Sequence, residues 1–351
     1  MNYRKLSDNS KCTYEEKIIL NEICENYGLK FLTATKVRSA YKVKLKDSKE
    51  ICVKKMKNGR KKVLLSYKLV EDLRKKGFLN TPRYLKTTNE HVYVKYKNMI
   101  FFATEWINGV ECDLSNINEA CEAAKLMAEF HKSTELLNIE KYNIKSNIKN
   151  WPKIFVNNLN DFERFESAIS KKRLINEFDN MFLENIDEFY YRGLKALNTL
   201  NSSQYHKISR EYSSKKTICH NSFYYQNIIK KDKEFYLIDM NSIIIDLRFN
   251  DLGKFIQRLM YKKEYKWEFN SAKAIIESYN SIYKLSKNEL EIMLAFIIFP
   301  HKFWKLGKKR YINNKNWSED KYIHKLNKII KYAQYQDSFI NEYINFLIDY
   351  H

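Results

Sequence analysis

The chain has 351 residues, 44% of them hydrophobic and 15% aromatic, and a formal net charge of +21. That apolar content is ample for a packed core and excludes a disordered chain, while the length allows one large or two medium domains. The charge admits a polyanion-binding module, but lysines are spread throughout alongside abundant Asn, Ile and Tyr, which reads as composition bias, and clusters such as Arg60-Lys61-Lys62 and Lys308-Lys309-Arg310 carry no nucleic-acid signature.

Tyr14 to Asn26 has helical apolar spacing, and from Phe31 to Met56 short alternating runs predict strands, with Tyr41–Leu45 and Ile51–Lys54 forming a hairpin around Lys46–Lys49. Val63 to Lys76 predicts a helix stopped by Gly77. Two further strands are expected at His91–Lys95 and Ile100–Thr104. Beyond Trp106-Ile107-Asn108-Gly109 the pattern turns helical, with amphipathic stretches at Ile117–Ser133, Leu174–Leu197 and Asn270–Tyr283. A β island from Ile218 to Ile245 interrupts it. The apolar run Ile292–Phe299 is too short to span a membrane and predicts a buried helix. The N-terminus is polar and reads as free of a signal peptide. The six cysteines form no C-x-x-C pair and no zinc-spaced cluster, so they read as reduced thiols.

The β island carries the chemistry. Phosphoryl transfer needs hard oxygen ligands for magnesium and a carboxylate to orient the acceptor; kinase-like loops place that carboxylate five residues before a metal-binding Asn, with a metal-binding Asp on the next hairpin. Asn227 and Asp239 stand at the two metal-ligand spacings, but the base position is Ser222, a neutral hydroxyl. Loss of a general base costs about 10²–10⁴ in rate. His220 reads as a brace for the loop, and Asp232 and Asp246 are too far along the chain to replace the base. Upstream, Lys54 ends a strand where it could reach nucleotide phosphates, with Lys55 as a rival, and Glu71 on the following helix could hold that lysine by an ion pair. The turn between Thr33 and Tyr41 has no glycine for close phosphate approach, although Lys36 and Arg38 could meet phosphate by charge. Asp251 is a candidate anchor for the loop or a helix cap.

His220–Asn227 resembles the H-G-D-x-x-x-x-N loop of the aminoglycoside/choline kinase-like superfamily, with Asn221-Ser222 in place of Gly-Asp. Leu237-Ile238-Asp239 and Asp251-Leu252 resemble the motifs that follow it, and Glu105 to Ile107 falls where the inter-lobe linker of that superfamily meets an adenine ring. Four segments narrow the resemblance to bacterial endospore coat proteins of the CotS type: Leu73–Tyr84, Glu105–Asp113, Phe223–Asn227 and Phe299-Pro300-His301-Lys302-Phe303-Trp304-Lys305.

The resemblance implies an α+β, two-lobed protein kinase-like fold, with a β-rich N-lobe over residues 1–105 and a mainly helical C-lobe over 106–351. It implies a structural or assembly role in the spore coat after synthesis in the mother-cell cytoplasm, with other coat proteins as partners. It gives Lys54, Glu71, Glu105 and Ile107 as the nucleotide-contacting positions, Asn227 and Asp239 as the metal positions, and ATP with magnesium as the ligands. With Ser222 as base, the expectation is a pseudokinase, set against two alternatives: an active phosphotransferase with an atypical loop, and the polyanion-binding module.

Overall fold

A computed structural model describes residues 9–350. The polar stretch Met1–Asp8, read as free of a signal peptide, lies outside the described residues. The chain divides into two compact units that are discontinuous in sequence. Among the described residues, the first comprises 9–112, 132–144 and 220–243, and the second comprises 113–131, 145–219 and 244–350.

The first unit is built on a six-stranded antiparallel sheet. Its strands are β1 (Asn9–Lys11), β2 (Phe31–Val37), β3 (Ala40–Leu45), β4 (Glu50–Lys57), β5 (Val94–Tyr96) and β6 (Met99–Glu105), in spatial order β1-β2-β3-β4-β6-β5. Helix α1 (Tyr14–Asn26) is started by a capping box between Thr13 and Glu16. It buries Leu20 and Ile23 against Val43, Leu45, Val53 and Phe101. Helix α2 (Arg60–Lys75) turns Val63, Ser66, Leu69, Val70 and Leu73 inward. It ends where Gly77 takes φ +92° and Phe78 N–H donates to the Leu73 carbonyl at 3.1 Å, the left-handed stop that glycine favours. The strand expected at His91–Lys95 begins only at Val94. A closed turn takes the earlier residues, with Thr87 N–H donating to His91 O at 2.7 Å and His91 N–H to Thr87 Oγ1 at 3.0 Å.

Alternation in β4 decides what faces the site. Ile51 and Val53 enter the apolar core, so Cys52 and Lys54 face the other way, paired with Thr104 and Phe102 of β6. A second sheet of this unit joins β7 (Val110–Glu111), introduced below β6 in the chain, to the hairpin strands at Ile228–Lys231 and Glu234–Leu237.

The second unit is mainly helical. It holds most of α3 (Ile117–Glu135), then α4 (Trp151–Ser170), α5 (Glu177–Ser202) and α6 (Tyr205–Lys215). The strand β8 (Ile218–Cys219) follows; numbering the hairpin strands β9 and β10, the next is β11 (Ile244–Ile245), paired antiparallel with β8. The remaining helices are α7 (Arg248–Met260), α8 (Phe269–Asn280), α9 (Lys287–Ile298), α10 (His301–Gly307), α11 (Glu319–Ala333) and α12 (Gln336–Ile348). The apolar run from Ile292 onward is buried in α9. Rings fill this core: Phe303 stacks on Phe182 and Phe189 with centroids 4.2 and 4.1 Å away, and Phe155 stacks on Phe299 at 4.0 Å. No helix among the described residues is long and apolar enough to cross a membrane.

Candidate functional site

The register of β4 and β6 brings Cys52, Lys54, Phe102 and Thr104 to one wall of a cleft in the first unit. Val70 of α2, Tyr84, Trp106 and Ile107 form further wall, and Ile229 with Ile238 to Asn241 close it from the hairpin. Tyr84 stacks on Phe102 with centroids 5.7 Å apart. This lining is largely apolar with a few convergent polar groups, the usual chemistry of a small-molecule site.

Asp239 is the polar centre. It lies two residues past the end of β10 with φ +68°, a left-handed conformation that Asp tolerates better than most residues. Its Oδ1 lies 3.3 Å from Lys54 Nζ and accepts from Asn241 Nδ2 at 2.7 Å. Burial pushes the Asp239 carboxyl up, but Lys54, the Asn241 amide and His220 outweigh it and hold the group below its ordinary value. Lys54, not Lys55, is therefore the cleft lysine; Lys55 points to the opposite face, its ammonium 5.7 Å from the Tyr41 ring centroid.

Glu71 does not pair with Lys54. The inward stripe of α2 passes through Val63, Ser66, Val70 and Leu73, and one further residue turns the helix by about 100°. Glu71 instead lines a separate groove with Tyr67, Arg74, Arg83 and Lys86. The helix residue that reaches the hairpin is Ser66, whose hydroxyl lies 2.9 Å from the Met240 carbonyl and 3.2 Å from Asn241 Oδ1.

The loop before Asn227 is folded back on itself. Asn227 is buried, donates from Nδ2 to the Ser222 carbonyl at 2.9 Å, and accepts at its own carbonyl from Ile238 N–H at 2.9 Å. Asn227 and Asp239 thus sit at the start and just past the end of one short hairpin. The Asn227 side chain, with its amide nitrogen committed, keeps its oxygen for another partner. His220 is fully buried, with Nε2 3.1 Å from the Ile238 carbonyl, and it ties the loop to the segment carrying Asp239. Ser222 is half-buried, and its hydroxyl makes no hydrogen bond among the described residues.

Two linker positions belong to the same cleft. Glu105 ends β6, with its Oε2 accepting from Arg83 N–H at 3.0 Å, and Ile107 lines the cleft directly. The peptide groups of Ile107 and Asn108, past the end of the β4–β6 ladder, make no hydrogen bond among the described residues. That leaves backbone donors and acceptors beside an apolar slot, which fits a flat heteroaromatic ring such as adenine. Gly109 follows because a Cβ there would lie 2.3 Å from the Lys230 carbonyl.

The glycine-free turn is tied down rather than left open. Arg38, at φ +55°, pairs with Glu111 of β7 at 2.8 Å, and its guanidinium lies 5.7 Å from the centroid of the Tyr225 ring. Lys36 is drawn the other way, to Glu16 of α1 at 3.2 Å. Both cations that charge alone offered to phosphate therefore have carboxylate partners. The residues present fit the adenosine and metal ends of a magnesium nucleotide better than its phosphate cover. Sequence spacing did not reveal Ser66, Tyr84, Phe102, Asn241 or the Arg38–Glu111 contact, because each depends on strand register or a long-range approach.

Asp232 lies in the first unit, and the second unit holds Asp246 and Asp251. Asp246 is buried and accepts from Asn147, Asn250 and the Leu247 N–H. Asp251 is buried beside His131, whose Nε2 is 3.6 Å from Asp251 Oδ2 and whose Nδ1 is 2.8 Å from the Tyr279 hydroxyl. Cys219 completes this buried cluster, and burial pushes its thiol well up.

The fold has close counterparts. An aminoglycoside phosphotransferase from Alicyclobacillus acidocaldarius superposes with a TM-score of 0.83 at 16% identity, covering 93% of this chain and 96% of its own. An amicoumacin kinase superposes at 0.56 with 12% identity, covering 94% of each chain. These likenesses establish the α+β kinase-like fold. Spore coat protein S of Bacillus subtilis (strain 168) is 27% identical over 199 residues, 56% of each protein, so the match spans about half the length of that relative. The family model described as spore coat putative kinase YutH matches residues 20–343, nearly the whole chain, and this protein belongs to that spore coat family.

Proposed function

We propose that this chain acts in the spore coat as an assembly protein whose kinase-like site no longer transfers phosphate. The observation that carries the reading is Ser222. It stands five residues before Asn227, where an acceptor hydroxyl would need a carboxylate, and its side chain can only offer a neutral hydroxyl at neutral pH. Asp239, the cleft carboxylate beside Lys54, is already held by Lys54 and Asn241. The turn that would cover phosphates is anchored through Arg38 to Glu111.

A bound magnesium nucleotide would supply an electrophilic phosphoryl group. Lys54 would meet its phosphates, Asn227 and Asp239 would hold the metal, and the Trp106–Asn108 backbone would receive the base. The Ile107 and Asn108 peptide groups favour a second role for the cleft, in which nucleotide is a bound ligand that stabilises the fold without turning over. Other coat proteins are the partners on this reading, and the coat is its location.

Incubation of the purified protein with radiolabelled ATP, alone and with solubilised coat proteins, tests it. No transfer is expected from the wild type. Transfer that disappears in Asp239→Ala would overturn the reading. The Ser222→Asp variant asks whether the carboxylate alone is missing: it gains label if the rest of the site is competent.

A further inference from the structure

The coat-like segment Phe299–Lys305 and the helix that follows it have no part in the cleft. From His301 to Lys331 the chain carries ten Lys and Arg residues against two acids, Glu319 and Asp320. Glu319 is taken up by Arg310 and by the Asn176 amide.

The cations converge on two rings. Lys309, Lys321 and Lys325 place their ammonium groups 4.6, 4.5 and 5.4 Å from the centroid of the Trp317 ring. One cation over an indole is favourable, but three like charges around it repel one another. On the neighbouring helix α10, Lys302 sits 3.4 Å from the Tyr261 ring centroid. Burial, then Lys328, Arg258 and Lys325, bring its ammonium down to about 7. Lys305 is lowered in the same way by burial, then Lys309, Lys254 and Arg258. The charges that lower these two lysines are all positive, and two of them come from the Trp317 group: Lys325 acts on Lys302, and Lys309 acts on Lys305. One continuous positive field therefore runs over α7, α10 and α11. Along α11, Lys321, Lys325 and Lys328 are exposed at i, i+4 and i+7, a stripe about 10 Å long.

We propose that this basic face of α10 and α11 is the docking surface for an acidic segment of another coat protein. Self-repulsion of this kind destabilises the isolated chain, and a run of carboxylates would relieve it. The stripe is made of lysines, compact point charges without the planar fork that selects phosphate. Trp317 adds an apolar body between the charges, suited to a peptide chain. This inference rests on the assembly reading, which the phosphate-transfer assay tests separately.

The experiment titrates the full chain into labelled poly-L-glutamate of roughly 20 residues, enough to exceed the stripe in length, and follows anisotropy at several salt concentrations. The wild type is expected to bind, with affinity falling as salt rises. The triple variant Lys321→Gln/Lys325→Gln/Lys328→Gln should weaken binding by about tenfold or more, in line with losing several desolvated charge contacts. A control with equal charge removed elsewhere, Lys57→Gln/Lys61→Gln/Lys62→Gln, should stay close to wild type. The patch variant should melt no lower than wild type, which shows that it folds. Equal weakening in both variants would mean that net charge alone binds and would overturn the proposal. So would absence of binding, or a single-stranded oligonucleotide of equal charge binding more tightly than the peptide.

Discussion

Lys54 Nζ and Asp239 Oδ1 stand 3.3 Å apart, so the cleft's lysine is held by the residue at the metal-ligand position rather than by the helix carboxylate, Glu71. The pair is only partly exposed, and Asn241 completes it from the same side of the hairpin. A nucleotide entering the cleft would have to separate the two charges or bridge them with metal and phosphate.

This pair gives stability a defined dependence on acid. The folded-state carboxyl of Asp239 lies below its ordinary value of 3.8. Above that value both folded and unfolded chains carry the charge, and the stabilisation is fully present. As pH falls through and below it, the unfolded chain takes up the proton first, and the stabilisation is lost. Asp239→Asn should therefore lower the melting temperature at pH 7 and lower it much less near pH 3. At neutral pH the loss should be about 1 kcal/mol, the range for a partly exposed pair with one hydrogen bond. A deficit that stays the same at both pH values would show that Asp239 contributes by shape rather than charge.

Arg38 makes a second prediction, about motion rather than stability. Its contacts with Glu111 and Tyr225 pin a two-residue turn that lacks glycine. Arg38→Ala removes a half-exposed ion pair, worth at most about 1 kcal/mol. The larger effect should be local: faster amide hydrogen exchange from Val37 to Tyr41, with exchange in β4 and β6 unchanged. The thermal shift produced by millimolar magnesium–nucleotide should also grow, because the turn no longer lies tied across Glu111. Unchanged exchange at the turn would show that these contacts do not hold it.

Much of this was legible in the sequence because local patterns carry it. The bounds of α1, the glycine stop after α2 and the burial of Ile292 to Ile298 all follow from apolar periodicity and one left-handed residue. The loop from His220 to Asn227 and the hairpin to Asp239 were readable as spacing. Spacing from a strand lysine puts Glu71 at the expected ion pair only if the helix face is known. That face is set by Ser66 and Val70 packing inward. Charge alone offers Arg38 to phosphate because its partner Glu111 lies 73 residues away, a distance that no local pattern bridges.

The second unit offers a test of a buried charge network. Arg248 and Glu289 are both largely buried, with Arg248 Nη2 3.1 Å from Glu289 Oε2 and 2.9 Å from the Lys284 carbonyl. Arg248 Nε also meets the Tyr212 hydroxyl at 2.8 Å, and the guanidinium lies 3.6 Å from the centroid of the Tyr283 ring. Tyr212 in turn hydrogen-bonds Glu289. Removing one member strands the other in a low-dielectric interior. Arg248→Met and Glu289→Met should each destabilise the chain by about 3–5 kcal/mol. Together they leave neither charge unpaired, so the double variant should lose much less than the sum of the two, with a coupling on the order of 1–3 kcal/mol. Glu289 also caps α9 through Ser286, so part of its single-variant loss will remain in the double. Chemical denaturation of the four proteins measures the cycle. Strict additivity would show that the two side chains stabilise the fold independently, through packing and capping rather than through their shared charge contact.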